Sequence, residues 1–415
     1  MRWLKVGDVA GVAAQPRPDH PWVMVWTMAI AQIVSWGTMY YAFSLFVVPM
    51  QQSLGWSRPL LNGALSLGLL TTGGVAFPVG AWIDRRGGRG IMSLCSLTGG
   101  LLLFAWAEVE TPWVFYVIWM LIGASMAGVL YEPAFAVVTA VFGPEARRGI
   151  TAMTLVAGFA STVFMPLTQL LIAELGWRQA LWVLGGCNLA VGLPLHLLFV
   201  PGSVSTRPAP IVAGVEATGA VAADVRTIFR GQVFWGLAIW FTATNATASA
   251  LVFQYVPLLT TWGVEMAVIL ASVALIGPMQ VAGRLLLMLF GARLETRGIG
   301  AMVMALFPAA ILTLLVVPHT LFGLGLCAAL YGSGNGLLTI VRGTAVSDLI
   351  GRMHYGTING ALTMPIMVAR ALAPVVAAGL WSATGNPALM LWAMLGSTMI
   401  GFVGFGLALS GVSHS

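Results

Sequence analysis

Charged residues are scarce in this sequence. Only 8% of its 415 residues are Asp, Glu, Lys or Arg, whereas a soluble domain carries about 25%. A protein with so few charges cannot cover its surface with groups that water solvates. Lipid is therefore the solvent expected over most of that surface, and the net charge of +6 does not indicate a nucleic-acid-binding protein.

Cysteines and catalytic patterns are scarce as well. Cys95, Cys187 and Cys327 lie far apart within apolar stretches, so we expect neither a disulfide nor a metal site. The sequence shows no nucleophile and base at a productive spacing and no phosphate-binding loop. We therefore expect no enzyme activity and no cofactor.

Long apolar runs are abundant, because 59% of the residues are hydrophobic. A membrane-spanning helix needs about 20 such residues in a row. Spans are predicted at 22–49, 59–83, 90–107, 113–141, 149–173, 179–200, 232–260, 264–290, 299–317, 321–347, 356–382 and 388–409. The sequence thus predicts an all-α membrane protein with twelve transmembrane helices.

The arginines predict the orientation. Lys and Arg accumulate on cytoplasmic loops, and placing the N-terminus inside leaves only Arg58 and Arg178 on loops of the opposite side. We expect both termini in the cytoplasm, no cleaved signal peptide within residues 1–21, and a multi-pass protein of a bacterial inner (plasma) membrane.

The two halves of the chain repeat each other. The run Ala-Phe-Ser-Leu-Phe-Val-Val-Pro at 42–49 resembles Ala-Leu-Val-Phe-Gln-Tyr-Val-Pro at 250–257, and the loop at 80–87 returns at 291–298. These offsets agree within a few residues, so the chain is a duplicated six-helix unit. The predicted segments are a cytoplasmic tail 1–21, a first half 22–200, a cytoplasmic linker 201–231, a second half 232–409 and a cytoplasmic tail 410–415.

The loop after the second span carries a recognisable motif. It reads Gly80-x-x-x-Asp84-Arg85-x-Gly87-x-Arg89 and resembles the signature of the major facilitator superfamily. A weaker second copy consists of Gly291, Glu295 and Arg297. The resemblance covers the whole chain and implies two pseudo-symmetric six-helix halves that rock about a site between them.

The same resemblance implies a role for the motif. In that family its aspartate and arginines hold the cytoplasmic gate, which assigns this role to Asp84, Arg85 and Arg89. The alternative for the arginines is that they only satisfy the positive-inside bias. Asp84 gains nothing from that bias.

Four ionisable residues lie inside predicted spans: Glu132, Arg284, Arg342 and Arg370. Each costs roughly 2.5–3.5 kcal/mol at a helix centre on insertion scales. Such residues persist when they are paired or line a water-filled cavity, so they are the strongest functional candidates in the chain.

Glu132 and Arg342 occupy equivalent positions of the repeat. We therefore expect them to face each other across the cavity as an ion pair that forms and breaks while the halves rock. Without Arg342, Glu132 would hold a proton more readily, which would allow proton coupling. The alternative is a permanent structural pair.

Arg370 lies near the middle of predicted span eleven, and its guanidinium fork suits a carboxylate. We expect it to bind an anionic substrate. Arg284 is nearer the cytoplasmic end of span eight, where it could bind substrate, cap the gate or snorkel to the surface.

Polar side chains of spans one and seven are expected to line the cavity. We assign this role to Tyr40, Tyr41, Asn245, Gln254 and Tyr255. Hydrogen bonds between helices are the alternative for each of them.

An arginine in span eight of an otherwise apolar cavity resembles the monocarboxylate and oxalate/formate branch of the superfamily, as does the aromatic stretch from Tyr41 to Trp56. Gln280 stands where that branch has an acidic residue, which leaves Glu132 for proton coupling. We predict a monomeric secondary transporter that moves a small organic anion, a monocarboxylate above all, with a proton or by exchange.

A proton-driven efflux pump for hydrophobic or cationic compounds is the alternative. Three embedded arginines and one acid give the predicted cavity a net positive charge, which would repel a cationic substrate. A polytopic receptor or a membrane enzyme is a further class, which the repeat and the lack of a catalytic constellation argue against.

Overall fold

The computed structural model describes residues 21–202, 225–290 and 294–412, and every regular element within these ranges is a helix. Most of the two predicted tails and of the linker lies outside them, as does Gly291. We call the helices before the linker the N-terminal half and those after it the C-terminal half.

The N-terminal half contains ten helices and three short turns of helix of other types. Its helices are α1 (Pro21–Trp36), α2 (Phe43–Leu54), α3 (Arg58–Arg86), α4 (Arg89–Ala107), α5 (Pro112–Val129), α6 (Tyr131–Phe142), α7 (Ala146–Ala157), α8 (Ala160–Leu175), α9 (Trp177–Cys187) and α10 (Leu193–Phe199). π-Helical turns at Gly37–Tyr41 and Asn188–Gly192 continue α1 into α2 and α9 into α10, and a 3-10 turn at Gly143–Glu145 separates α6 from α7.

The C-terminal half has longer, less interrupted helices. They are α12 (Gln232–Thr261), α13 (Met266–Phe290), α14 (Thr296–Val316), α15 (Leu321–Leu349), α16 (Tyr355–Thr384) and α17 (Pro387–Val412). A short helix, α11 (Val225–Arg230), precedes them within the predicted linker 201–231.

Within the described residues, eleven helical segments are long and apolar enough to cross a membrane. The sequence predicts twelve spans. The difference lies in Pro112–Leu175, which counts as one segment of 64 residues. As a straight helix it would be roughly 96 Å long, about three times the thickness of the bilayer hydrocarbon. Leu130 is extended and Gly143 has φ 55°, so the segment is not one straight helix.

Local sequence explains where several helices begin and end. The hydroxyls of Ser57 and Thr320 accept hydrogen bonds from the first backbone N–H groups of α3 and α15, as N-cap residues do. α2 and α16 end at Gly55 and Gly385, whose φ of 70° and 64° suits glycine far better than residues with a Cβ.

Large apolar side chains cover the outside of the bundle. Phe290, Val316 and Phe322 are each more than three-quarters exposed, which is a surface suited to lipid and not to water. Inside the N-terminal half, Trp106 and Trp119 pack with ring centroids 5.0 Å apart and are fully buried.

α3 and α16 bring the two halves together through small residues. A Cβ on Gly80 would meet the carbonyl of Gly356, and a Cβ on Gly360 would meet that of Ala76. Such close backbone contact is open only to small residues. We call the end of the bundle where these helices cross the Asp84 end, and the opposite one, with Arg58 and Arg178, the Arg178 end.

Candidate functional site

An aromatic cluster on the N-terminal half forms one side of the candidate site. The ring centroid of Trp36 lies 5.2 Å from Tyr40, 5.9 Å from Tyr41 and 5.0 Å from Tyr131. Trp36 is 8% exposed, whereas the three tyrosines are half-buried. We call these four residues the aromatic wall.

The π-helical turn Gly37–Tyr41 explains why both Tyr40 and Tyr41 reach Trp36. In an α-helix a residue five positions on points well away from the first. Here the N–H of Ala42 bonds to the carbonyl of Gly37 at 3.0 Å, and this wider turn brings the fifth residue round to the same side. The hydropathy pattern carries no sign of this turn.

Tyr131 is a site residue that the sequence predictions missed. It begins α6, directly after the extended Leu130, and its hydroxyl lies close enough to the Arg284 guanidinium to interact with it electrostatically. Its position next to Glu132, an embedded charge, is the signal that could have found it.

Arg370 lies on α16 of the C-terminal half, opposite the aromatic wall. It is half-buried and close enough to Tyr41 and Tyr331 to interact electrostatically with both. No carboxylate of the described residues lies within 4.0 Å of its guanidinium, whose N–H groups make no hydrogen bond there. Arg370 is therefore a half-buried cation with free donors.

Arg284 lies on α13, and its guanidinium, unlike that of Arg370, is engaged in hydrogen bonds. Only 3% exposed, it donates to the carbonyl of Thr154 at 2.7 Å, to that of Gly336 at 3.4 Å and to the Thr339 hydroxyl at 3.4 Å. The Thr154 bond joins the two halves. This burial excludes the expected alternative that Arg284 snorkels to the membrane surface.

Glu132 and Arg342 are in contact. An Arg342 Nη2 lies 2.6 Å from Glu132 Oε1, with side chains 10% and 13% exposed. The same nitrogen donates to the Thr363 hydroxyl at 2.8 Å. Because α6 and α15 belong to different halves, this buried pair crosses between them. Whether it breaks during transport stays a prediction.

Asn245, Gln254 and Tyr255, predicted to line the cavity, are buried and bonded within the C-terminal half. Asn245 donates to the Phe241 carbonyl at 2.8 Å and Gln254 to the Pro374 carbonyl at 3.0 Å. The Tyr255 hydroxyl donates to Ser272 at 3.2 Å. The Gln254 and Tyr255 bonds reach neighbouring helices, as the helix-to-helix alternative expects, whereas the Asn245 bond stays within α12. Because these donors are engaged, we leave the three residues out of the site proposed below.

Asp84 joins the halves at the Asp84 end. Its carboxylate accepts hydrogen bonds from the N–H groups of Gly356 and Thr357 at 2.9 and 2.7 Å, and from the Thr357 hydroxyl at 2.7 Å. Gly356 and Thr357 lie in the first turn of α16, where the helix dipole also favours a negative charge.

The two arginines of the first motif copy make no hydrogen bond to the opposite half among the described residues. Arg89 Nε donates to the Val200 carbonyl at 2.7 Å, and Arg85 is exposed. Gly87 ends α3 with φ 78°, and Gly80 allows the helix crossing. Asp84 is thus the member of this copy that bonds to the opposite half.

At the second copy, an arginine that the predictions did not single out makes the link. Arg147 of α7 donates to the Leu294 carbonyl and to the Thr296 hydroxyl and lies 3.5 Å from the Asp348 carboxylate. Glu295 and Arg297 are exposed. Each motif copy therefore contacts the start of the equivalent helix in the other half, which the repeat could have suggested.

At the Arg178 end, in contrast, the contacts of Arg178 and Trp262 stay within one half. Arg178 donates to the carbonyls of Ala107 and Val109, and Trp262 stacks on His319 at 4.3 Å. In the part of the chain that the structure describes, no three His, Cys, Asp or Glu residues come together to hold a metal ion.

Several solved structures share this fold. A variant of the Escherichia coli fucose:proton symporter FucP superposes with a TM-score of 0.69 at 15% identity, over 95% of this chain and 99% of that one. The human organic anion transporter MFSD10 (TETRAN) gives 0.68 at 18% identity over 95% and 100%. FucP in the outward conformation gives 0.69 at 16% over 94% and 99%.

A curated relative is the uncharacterized MFS-type transporter YcxA of Bacillus subtilis (strain 168), 27% identical over 185 residues. This match spans 43% of the present chain and 44% of that relative's length. The Major Facilitator Superfamily model matches residues 28–374, which is most of the chain. Because it covers more than half of the chain, this match shows that the protein belongs to the Major Facilitator Superfamily.

Proposed function

We propose that the protein is a secondary active transporter that moves a small organic anion, above all a monocarboxylate, by alternating access. The site lies between the aromatic wall and Arg370, with Arg284 close to the Tyr131 hydroxyl. Transport is coupled to a proton or occurs by exchange.

The proposal is supported by the partners of the three embedded arginines, since two of them are engaged and one is not. Arg342 is neutralised by Glu132, and Arg284 is held by carbonyl and hydroxyl oxygens. Arg370 keeps free donors near the half-buried Tyr41 and the buried Tyr331. A cation held in the membrane without a counter-charge is stabilised by an anionic ligand, and its fork matches a carboxylate.

We further propose twelve spans with both termini in the cytoplasm of a bacterial cell. α5 with α6 and α7 with α8 would then be two crossings, turned back at Gly143–Glu145. The Asp84 end carries Arg85, Arg86 and Arg89, which favours the cytoplasmic side. On this basis the described conformation is closed towards the cytoplasm.

The coupling proposal concerns Glu132. In the conformation closed at the Asp84 end, its charge is balanced by Arg342. When the halves rock apart there, the pair separates, and a carboxylate left in an apolar setting binds a proton more readily. Exchange needs no such step, so the pH dependence of net uptake distinguishes the two modes.

Proteins of similar fold include both an organic anion transporter and a proton symporter, as two of the solved structures are described. These likenesses support the fold alone. The alternative, efflux of cationic compounds, has less support because Glu132, the embedded acid, is already paired.

A thermal-shift screen of the purified full-length protein tests the proposal. One panel holds small carboxylates and the other lipophilic cations, each assayed against wild type, Arg370→Gln and Arg370→Lys. A ligand at 100 times its Kd adds about 2.7 kcal/mol of stability. We expect carboxylates to stabilise wild type, to stabilise Arg370→Lys less and to leave Arg370→Gln unshifted. Stabilisation by cations alone, equal in all three, would overturn the proposal.

A further inference from the structure

The aromatic wall has more ring surface than a small aliphatic acid can use. Four rings converge from two helices of the N-terminal half, with centroid distances of 5.0 to 5.9 Å. These spacings lie in the range in which aromatic rings attract one another through their quadrupoles. Tyr40, Tyr41 and Tyr131 are each half-buried, so part of each side chain remains uncovered, although Phe135 stacks on Tyr131 at 5.4 Å.

The wall also contains a donor that nothing satisfies. The indole N–H of Trp36 is buried and has no acceptor among the described residues, although its side chain is 8% exposed. Buried N–H groups in native proteins nearly always have a partner. The buried indole N–H groups of Trp119 and Trp240 are likewise unpartnered among the described residues, so we assign the ring of Trp36, and not its N–H, to the ligand.

On the opposite side, Arg370 is an embedded cation whose N–H groups make no hydrogen bond among the described residues. Arg370 lies near Tyr41 and Tyr331, while the other two embedded arginines are engaged by Glu132 and by carbonyl oxygens. One guanidinium balances one carboxylate. A second carboxylate on the same ligand would face the rings, where Arg284 also lies. Its N–H groups are already given to carbonyl and hydroxyl oxygens, so the second carboxylate would be less well solvated than the first.

We infer that the substrate is an aromatic monocarboxylate, with its ring held by Tyr40, Tyr41 and Tyr131 around Trp36 and its carboxylate on Arg370. The inference rests on the proposed anion transport and deepens it. Trp36 and Tyr131 thereby become specificity-determining residues, which select a flat ring over an aliphatic group of equal size and charge.

Benzoate and cyclohexanecarboxylate are the matched probes, since both carry one carboxylate on a six-membered ring. The saturated ring is the more hydrophobic, so apolar burial alone would favour it, whereas ring–ring contacts favour benzoate. Phthalate adds a second carboxylate to the same aromatic ring, and acetate carries no ring.

Calorimetric Kd values on purified full-length protein decide the matter. We expect benzoate to bind about tenfold more tightly than cyclohexanecarboxylate, as when one or two ring contacts are lost, and phthalate to bind more weakly than benzoate. Trp36→Leu and Tyr131→Leu should each reduce the benzoate preference, and Trp36→Phe should retain most of it. Trp182→Leu is the control, because Trp182 stacks on Phe104 at 4.4 Å and is 47% exposed.

The outcomes separate the two proposals. Equal or reversed affinities for benzoate and cyclohexanecarboxylate, with binding still lost in Arg370→Gln, would overturn the aromatic preference and leave the anion carrier intact. Phthalate binding as tightly as benzoate would overturn the single-carboxylate requirement. Failure of all four acids to bind wild type would overturn the anion carrier itself.

Discussion

The N-terminal half faces the candidate site with aromatic rings, whereas the C-terminal half faces it with arginine. The repeat shows how far the two sides have diverged. Because 42–49 aligns with 250–257, Tyr40 and Tyr41 correspond to Ala248 and Ser249, and Trp36 corresponds to Thr244. The second half has small or hydroxyl-bearing residues where the first has rings.

For two of the embedded arginines the difference between the halves is reversed: the second half carries them and the first half has uncharged residues at the equivalent positions. Aligning Pro166 with Pro374 places Thr162 opposite Arg370. Aligning 80–87 with 291–298 likewise makes Gly73 the counterpart of Arg284. The duplicated backbone therefore supplies a symmetric frame, while the side chains give the site an apolar side and a cationic side. An amphipathic anion fits such a site better than a symmetric or cationic ligand.

At one pair of equivalent positions inside the membrane, Glu132 and Arg342, both halves keep a charge, and breaking this ion pair should have the largest effect. Arg342→Gln leaves Glu132 buried without a partner, which costs about 3–5 kcal/mol. We expect a marked fall in the melting temperature in detergent, much of it recovered in the Glu132→Gln/Arg342→Gln double variant. If Arg342→Gln instead melts, transports and responds to pH as wild type does, the pair neither stabilises the closed end nor switches.

A smaller effect is expected from the acids of the two motif copies. Asp84→Ala removes three hydrogen bonds to a charged acceptor across the halves, so we expect a loss of roughly 2–3 kcal/mol. Glu295→Ala alters an exposed side chain and should stay within about 0.5 kcal/mol. Alkylation of a cysteine placed at Val79, in a background without native cysteines, reports opening of the Asp84 end, because Val79 is buried there.

In that assay Asp84→Ala should speed alkylation and Glu295→Ala should not. Equal rates in the two variants would mean that both motif copies hold the halves alike, contrary to the contacts described.

The smallest expected effect separates two neighbouring arginines. Arg147 bonds across the halves and its side chain is 28% exposed. Arg148 pairs with Glu145 on the surface, with side chains 73% and 63% exposed. Arg147→Gln should cost about 1–2 kcal/mol and raise the Val79 alkylation rate, whereas Arg148→Gln should cost at most about 1 kcal/mol and leave that rate unchanged. The reverse order would contradict the link assigned to Arg147.

The helices could be predicted closely because hydropathy reports membrane burial directly. The predicted span 232–260 is found as Gln232–Thr261, and 321–347 as Leu321–Leu349. The number of spans in Pro112–Leu175 is harder to determine, because the turn at Gly143–Glu145 is itself helical and does not interrupt the helical segment. The span count there depends on where the chain reverses, which hydropathy does not fix.

The candidate site could be predicted only in part. Charges inside a span are conspicuous because they are costly, so Glu132, Arg284, Arg342 and Arg370 stand out. Polarity alone does not say whether a side chain lines a cavity or bonds to the next helix, and Gln254 makes the helix bond. Trp36 becomes a site residue only through a π-helical turn, which leaves no mark in the apolar pattern.

Uptake into proteoliposomes most directly tests the central claim, that this transporter moves a small organic anion on Arg370. Radiolabelled benzoate and a radiolabelled lipophilic cation would be offered to vesicles containing wild type or Arg370→Gln, with and without an inward proton gradient. We predict benzoate uptake by wild type and a loss of roughly 10- to 100-fold in Arg370→Gln, with no movement of the cation. Cation movement by both variants, with benzoate moved by neither, would contradict the account.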